Sequence, residues 1–151
     1  MAIAMHTATI LTAIQTILTN ASLGISTYAE GFPDTFPADT SLPACYFLVN
    51  DFTDTPENMV ESFYQQTYEV FIYLVCRQEG ATFTRTYGRN KAEAARNALK
   101  TTPALGLGQS YRSHPTRLTL ENDLEQFFRV EKQPRQCFMI RLIVTKDEDE
   151  S

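Results

Sequence analysis

A long stretch of alternating side chains constrains the fold of this chain more than any other feature of its sequence. Between about Phe63 and Gln78 most even-numbered residues are apolar, and this period of two predicts a long β-strand. In the second half of the stretch the odd-numbered residues Phe71, Tyr73 and Val75 are apolar as well. We therefore expect this half of the strand to be covered on both sides, by a helix or by a neighbouring subunit.

Two further segments show helical spacing. Apolar residues three and four apart predict an amphipathic helix from about His6 to Asn20, whose other side is mostly threonine. A second helix is predicted to begin after Asn90, with Glu93 completing a capping box, and to end before Pro103. Shorter strands are predicted at residues 23–28, 44–50, 81–87, 118–120, 124–131 and 137–145. These elements predict an α+β fold, with a mixed or antiparallel sheet of about four to six strands packed on two main helices.

The length and composition favour one domain. A chain of 151 residues with 43% apolar residues can bury one core without disulfides or metals. Loops are predicted at residues 31–43, 51–62 and 104–115, and none of them separates two segments large enough to form independent cores. We expect a single domain at residues 1–145 and an acidic, disordered tail at residues 146–151.

Charge is distributed unevenly along the chain. Residues 1–76 contain no Lys or Arg and eight acidic residues, whereas residues 77–117 contain eight basic residues and two acidic ones. The two parts can neutralise each other within one fold or across subunits, and complementary charge would fix the register of a head-to-tail ring. The candidate contacts with other subunits or partners are Asp51, Asp54, Glu57, Glu61, Arg77, Arg85, Arg89, Arg112 and Arg117.

No catalytic, cofactor-binding or metal-binding constellation is recognisable. The two histidines, His6 and His114, stand outside any catalytic motif, and Cys45, Cys76 and Cys137 lie in apolar runs without CxxC spacing. The acidic clusters at residues 51–54 and 121–125 lack the spacing of a calcium-binding loop. The glycines at 106 and 108 follow a helix instead of preceding one, as a phosphate-binding loop would require. The chain is therefore not expected to be an enzyme.

A small nucleic-acid-binding domain is the main alternative to a protein that serves in assembly. Basic and aromatic residues alternate between Arg77 and Arg117, as in proteins that hold phosphates and stack bases. The chain as a whole is acidic, with a net charge of -5, whereas nucleic-acid modules usually carry net positive charge. Salt pairing with the acidic first half is the favoured interpretation, and an enzyme is the third possibility. No stretch approaches the ~18 apolar residues of a membrane span, so no membrane partner is expected.

The order of these elements resembles that of the phage tail terminator or tail-completion family of head-tail joining, minor tail proteins. The shared pattern is an N-terminal amphipathic helix, a proline-rich loop, a strand opened by Leu42-Pro43-Ala44, a long strand, an alanine-rich helix capped by Asn90 and a C-terminal hairpin. The resemblance covers nearly the whole chain. It rests on element order and the Pro-Ala strand entry.

The resemblance implies a homo-oligomeric ring, typically hexameric, located in the virion at the tail and neck and assembled in the host cytoplasm. Such a ring caps the tail tube, ends its polymerisation and joins the tail to a neck, stopper or connector protein on the head side. It implies no catalytic residues, cofactor or metal. Residues 51–61 and 106–115 are then candidate docking loops. An acidic surface from residues 1–76 would face a lumen through which DNA passes without specific binding.

Two segments depart from the family pattern. Residues 81–87 extend the long strand, and the acidic end after Thr145 is additional. Both are candidates for contact with a tube or sheath protein. They are equally compatible with a different neck component, such as a connector or stopper.

Overall fold

A computed structural model describes residues 6–31, 43–56, 63–77, 86–108, 110–120 and 135–149. Its strands form one sheet of five strands in the order β1-β2-β3-β5-β4. Strand β1 runs parallel to β2, and the other neighbours are antiparallel. The elements are α1 (Thr7–Asn20), β1 (Thr27–Glu30), β2 (Ala44–Pro56), β3 (Phe63–Arg77), α2 (Thr86–Lys100), β4 (Tyr111–Leu120) and β5 (Arg135–Asp149). The predicted α+β class, with a mixed sheet and two main helices, is confirmed.

The core lies between the two helices and one face of the sheet, which we call the inner face. Even-numbered residues of β3 point to it, and Val70 and Ile72 are completely buried there. Burial of a side chain of this size stabilises the fold by roughly 1.5–3 kcal/mol. The strand predicted from the alternating stretch is thus the centre of the sheet, with β2 on one side and β5 on the other.

Helix α1 forms where the sequence predicts it. Ile10, Ile14 and Leu18 recur at helical spacing and are fully or almost fully buried against the sheet. The opposite side is exposed and consists of Ala, Thr, Gln and Asn, without a charged residue in the helix. Threonine is a mediocre helix former, so packing of the apolar stripe supplies most of the stability of this helix.

Helix α2 begins earlier than predicted. It starts at Thr86, so Asn90 lies inside the helix and is exposed, and the predicted capping box with Glu93 is wrong. Gly88 is buried and extends the buried stripe of Ala92, Ala95 and Leu99 by one helical turn. Close packing of the glycine and the two alanines on the sheet outweighs the local preference of asparagine for a helix start.

Three strands extend into segments for which the sequence predicted loops or a disordered tail. Strand β2 continues to Pro56, β4 already begins at Tyr111, and β5 continues past Thr145 to Asp149. The predictions of loops at 51–56 and 111–115 and of a disordered tail at 146–149 are therefore corrected. The reason is pairing with β3 and β5, because β3 is long enough to keep partners as far as Phe63. The predicted strand at 124–131 lies outside the described residues, as do positions 81–85 of the predicted strand at 81–87.

Candidate interaction surfaces

The sheet carries a second apolar surface on the side opposite the helices, which we call the outer face. Tyr46, Val75 and Cys137 are buried there in a small cluster of their own. Tyr73 packs against this cluster, and it lies 6.4 Å from Phe71 between ring centroids. In the part of the chain that the structure describes, both helices pack on the inner face and neither covers the outer one. The predicted cover on the second side of this strand is therefore not provided by either described helix.

The apolar part of the outer face continues beyond the cluster and is only half-buried. Leu48 pairs in register with Phe71, which in turn pairs with Arg141. Met139 pairs with Tyr73 on the next strand. The half-buried apolar side chains are Leu48, Phe71, Tyr73, Met139 and Ile143.

An ion pair sits in the middle of the outer face. The Nε of Arg141 donates a hydrogen bond to Oε2 of Glu69 at 2.6 Å, and its Nη2 contacts the same oxygen. The side chains retain 40% and 13% of their accessible surface, so the carboxylate is shielded from water more than the guanidinium. Each charge is compensated by the other within one chain, and the centre of this face carries no net charge from the pair.

A second ion pair marks the edge of the sheet at β4. Arg112 donates two hydrogen bonds to the carboxylate of Asp147, both at 3.1 Å. Lys146 lies beside this pair, and its Nζ is 5.2 Å from the centroid of the Tyr111 ring. These contacts attach residues 146 and 147 to the fold, where the sequence predicted a disordered tail.

The helix layer contains a groove on its outward side, which we call the helix groove. It has a volume of about 810 Å³ and lies between α1, the end of α2 and the loop that follows α2. Leu105 and Gly106 adopt left-handed backbone conformations, with φ of 53° and 71°, so the chain turns back and forms one wall. None of the fourteen lining residues is charged. They include Ala8, Thr12, Thr16, Ile17, Ala98 and Leu107.

Three threonine hydroxyls of the groove donate to backbone carbonyls. Thr16 Oγ1 donates to the carbonyl of Thr12 at 3.0 Å, and the Thr101 and Thr102 hydroxyls donate to the carbonyl of Ala98. These donors are occupied within their own helices, so the groove exposes mainly methyl groups and hydroxyl oxygens. The surface is therefore less polar than its threonine content suggests.

The exposed side of α2 is charged, in contrast to α1. Arg89, Glu93 and Lys100 are exposed, and Arg96 is half-buried. Arg89, Arg96 and Lys100 are seven and four residues apart, which places them along one side of the helix. Of the candidate contact residues, Arg89 is therefore on an exposed surface. Arg112 is exposed too and already bound to Asp147.

The remaining candidate contacts are not brought together as one site. The backbone register pairs Asp51 with Glu69, Asp54 with Gln66 and Arg117 with Arg141. Arg77, at the end of β3, pairs with Arg135. Candidates Glu57, Glu61 and Arg85 lie outside the described residues. Glu69 of the acidic part pairs with Arg141, which lies beyond the basic part at residues 77–117 and which the sequence did not single out.

The cysteines are buried hydrophobic residues of the sheet. Burial raises the pKa of the Cys76 thiol from its ordinary value of 9.0 to about 12, although the nearby Lys91 acts in the opposite direction. Burial also raises the pKa of Cys45, with a smaller contribution from Cys76. Among the described residues no group of three or more His, Cys, Asp or Glu side chains could hold a metal ion. Nor is any helix in the described ranges long and apolar enough to cross a membrane.

Sequence reasoning missed both the half-buried outer residues Leu48 and Met139 and the helix groove. The groove does have a signal in the sequence, because no charged residue occurs between Met1 and Ala29. A surface helix without any charge indicates that its exposed side is not adapted to water alone.

No family model matches the sequence, and no curated protein matches it. Among solved structures, one similar chain comes from the virion of a native gene transfer agent particle. The similarity covers 89% of this chain and 93% of that one, at 19% sequence identity and a TM-score of 0.42. A similarity at this level carries no argument about what this chain does.

Proposed function

We propose that this chain is a structural virion protein, a tail terminator that forms a ring on the tail tube, ends its polymerisation and joins the tail to the neck. The observation that carries the proposal is the sheet with apolar side chains on both faces, of which the described helices cover only one. An enzyme needs one pocket with convergent reactive groups, whereas an assembly protein needs surfaces for neighbours. The outer face and the helix groove are surfaces of the second kind, which suit contact with neighbouring proteins.

The element order supports the same proposal. The helix α1, a strand entered through Pro43 and Ala44, the long β3, the helix α2 and the final strands follow one another in the order on which the family resemblance rests. The cap at Asn90, which was part of that resemblance, is absent. As proposed here, the protein binds a second copy of itself, the tube protein and a neck protein, and it performs no reaction.

The oligomeric state tests this function directly. Native mass spectrometry and light scattering at assembly concentrations are expected to show one discrete ring, of about six subunits, and electron microscopy is expected to show a central channel. Added to polymerising tube protein, the ring is expected to stop tube growth. A protein that stays monomeric at these concentrations, or tubes that grow to the same length with and without it, would contradict the proposal.

The basic side of α2 favours one second candidate, a nucleic-acid-binding domain. Arg89, Arg96 and Lys100 line one side of an exposed helix, and such a row can contact successive phosphates. Titration of labelled single-stranded DNA at increasing salt separates the two functions. Micromolar binding that weakens steeply with salt and is lost in the double variant Arg89→Ala/Lys100→Ala would favour this candidate. Absence of binding would favour the tail terminator instead.

A further inference from the structure

The first half of strand β4 has its edge occupied by the chain itself. Strand β4 lies at one end of the described sheet, with β5 as its described neighbour. On an edge strand every second residue points its N–H and C=O groups away from the sheet, where a strand of another molecule can pair with them. What these groups bind therefore decides whether the sheet can be extended at this edge.

Two outward amides of β4 are bound by the loop that follows α2, and we call residues 101–108 the edge loop. The backbone N–H of Ser113 donates to the carbonyl of Pro103 at 2.6 Å, and that of Tyr111 donates to the carbonyl of Gly108 at 3.2 Å. The Ser113 hydroxyl also lies 3.1 Å from the Pro103 oxygen. The carbonyl of Pro103 therefore stands where an added strand would have to place a carbonyl of its own.

The third outward position of β4 is a proline. The register of β4 on β5 is regular from Tyr111 to Pro115, so the backbone groups of residues 111, 113 and 115 point the same way. Proline has no N–H, and in sheets it is found at edges and bulges. A register shift follows at once, between Pro115 and Arg117. No outward N–H between Tyr111 and Pro115 is thus left for another chain.

The edge loop is held in place by the core. Leu105 is buried in the core cluster and has φ of 53°, a left-handed conformation that leucine rarely adopts. Such a conformation persists only where the surrounding structure fixes it. Two turns within the loop add support, because the amides of Leu105 and Leu107 donate to the carbonyls of Thr102 and Ala104. The loop is therefore fixed beside β4 by more than its contacts with the strand.

We propose that the edge loop, anchored by Leu105, is an inhibitory contact that closes the first half of the β4 edge to strands of other molecules. It goes beyond the proposed function, since a closed edge does not require that the chain form a ring. Strand addition at an exposed edge can repeat from copy to copy, so an open edge at β4 would favour aggregation. With this edge closed, contacts between copies at residues 111–115 are left to side chains.

Residue-resolved amide hydrogen exchange of the wild-type protein tests the geometry. On an open edge strand protection alternates, because only the residues that point to the neighbouring strand are hydrogen-bonded. Here the amides from Tyr111 to His114 are all expected to be protected, since β5 and the edge loop bind alternate residues. Exchange of the Ser113 amide as fast as in an unstructured peptide would overturn the proposal.

The double variant Leu105→Asn/Pro115→Val tests the consequence. Asparagine tolerates the left-handed conformation of Leu105 but does not fill its apolar site, and valine at position 115 restores an N–H. Alternating protection along β4 is then expected, together with a mean mass in light scattering about twofold or more above that of the wild type at equal concentration. Ile14→Ala is the control for lost core packing, because Ile14 is likewise buried but belongs to α1. It is expected to keep the mass of the wild type.

Three results would contradict the proposal. A double variant with alternating protection but the mass of the wild type would show that the edge loop does not prevent strand addition. Unchanged protection of β4 in the folded double variant would show that Leu105 does not anchor the loop. An equal rise in mass for Ile14→Ala would assign the association to lost stability. Circular dichroism checks folding, and if the double variant does not fold, the exchange pattern of the wild type decides alone.

Discussion

The side-chain ammonium of Lys91 lies 2.6 Å from the backbone carbonyl oxygen of Leu23 and donates a hydrogen bond to it. The carbonyl belongs to the turn that follows α1, whereas the lysine belongs to the first half of α2. This contact joins the two helices of the layer at the point where α1 ends. Gly24, next to Leu23, has φ of +70°, and a Cβ there would lie 3.7 Å from the lysine nitrogen.

Replacement of Lys91 by methionine is therefore expected to destabilise the protein by about 1–2 kcal/mol. The substitution keeps much of the length of the side chain and removes the charged donor, so the half-buried carbonyl of Leu23 loses this hydrogen bond. Urea unfolding is the measurement. Arg89→Met, on the exposed side of the same helix, is the control and is expected to change the unfolding free energy by less than about 0.5 kcal/mol. Equal effects of the two substitutions would show that the contact with Leu23 contributes nothing.

The hydroxyl of Tyr68 makes two hydrogen bonds inside the fold. It donates to Oε1 of the fully buried Gln66 at 2.9 Å and accepts from the backbone amide of His6 at 3.0 Å. Tyr68→Phe is expected to cost about 1–3 kcal/mol in thermal or urea unfolding, since a buried polar network loses one member. Tyr28→Phe serves for comparison, because the contact of the Tyr28 hydroxyl within the described ranges is a long one of 3.5 Å with exposed Thr19. A smaller loss for Tyr68→Phe than for Tyr28→Phe would contradict the assignment.

Stability is expected to fall as the pH rises above about 9. The folded protein holds Cys76 protonated up to about pH 12, whereas the same thiol in the unfolded chain ionises near 9.0. Between these values the unfolded state binds fewer protons, so each such thiol lowers the unfolding free energy by up to ~1.4 kcal/mol per pH unit. Urea unfolding at pH 8, 9 and 10 measures the slope. Cys76→Ala is expected to reduce the slope, and parallel curves for the variant and the wild type would be the contrary result.

The two ion pairs are expected to differ in strength. A double-mutant cycle of Glu69→Gln and Arg141→Gln is expected to give a coupling of about 1 kcal/mol, because Glu69 is largely shielded from water. The same cycle for Arg112 and Asp147 is expected to stay below about 0.5 kcal/mol, since Arg112 is exposed at 55% and the Asp147 side chain keeps 30% of its surface, more than that of Glu69. A coupling for the edge pair as large as for the central pair would refute the role of shielding.

The parts of the fold that could be predicted are those fixed by local periodicity. The alternation around Val70 and Ile72 identified β3, and the apolar stripe of α1 identified the first helix. Both could be predicted because the spacing of buried side chains can be seen within a short segment of sequence. The ends of β2 and β5 could not be predicted, since they depend on how far β3 offers a partner, and the start of β4 depends in turn on β5. The predicted cap at Asn90 failed for a related reason, because packing of Gly88 extends α2 upstream.

The candidate surfaces were harder to predict than the fold. Charge alone suggested Arg112 as a partner contact, but the structure pairs it with Asp147 across the neighbouring strand. The composition of β3 showed that both sides are apolar, but which side the helices cover depends on connections between distant segments. The helix groove depends on where the loop after α2 turns, at Leu105 and Gly106, and that turn has no counterpart in hydrophobic periodicity.

The position of β5 has a consequence for how the chain folds during synthesis. Strand β5 comes after the other described strands in sequence, and yet it lies between β3 and β4 in the sheet. During synthesis β4 therefore leaves the ribosome before β5, its only described neighbour in the sheet. Until β5 has been made, one edge of β3 has no strand to pair with. Non-local pairing of this kind is slow, and the open edge can recruit strands of other chains. We expect incomplete nascent chains to depend on chaperones until residues 135–149 have emerged.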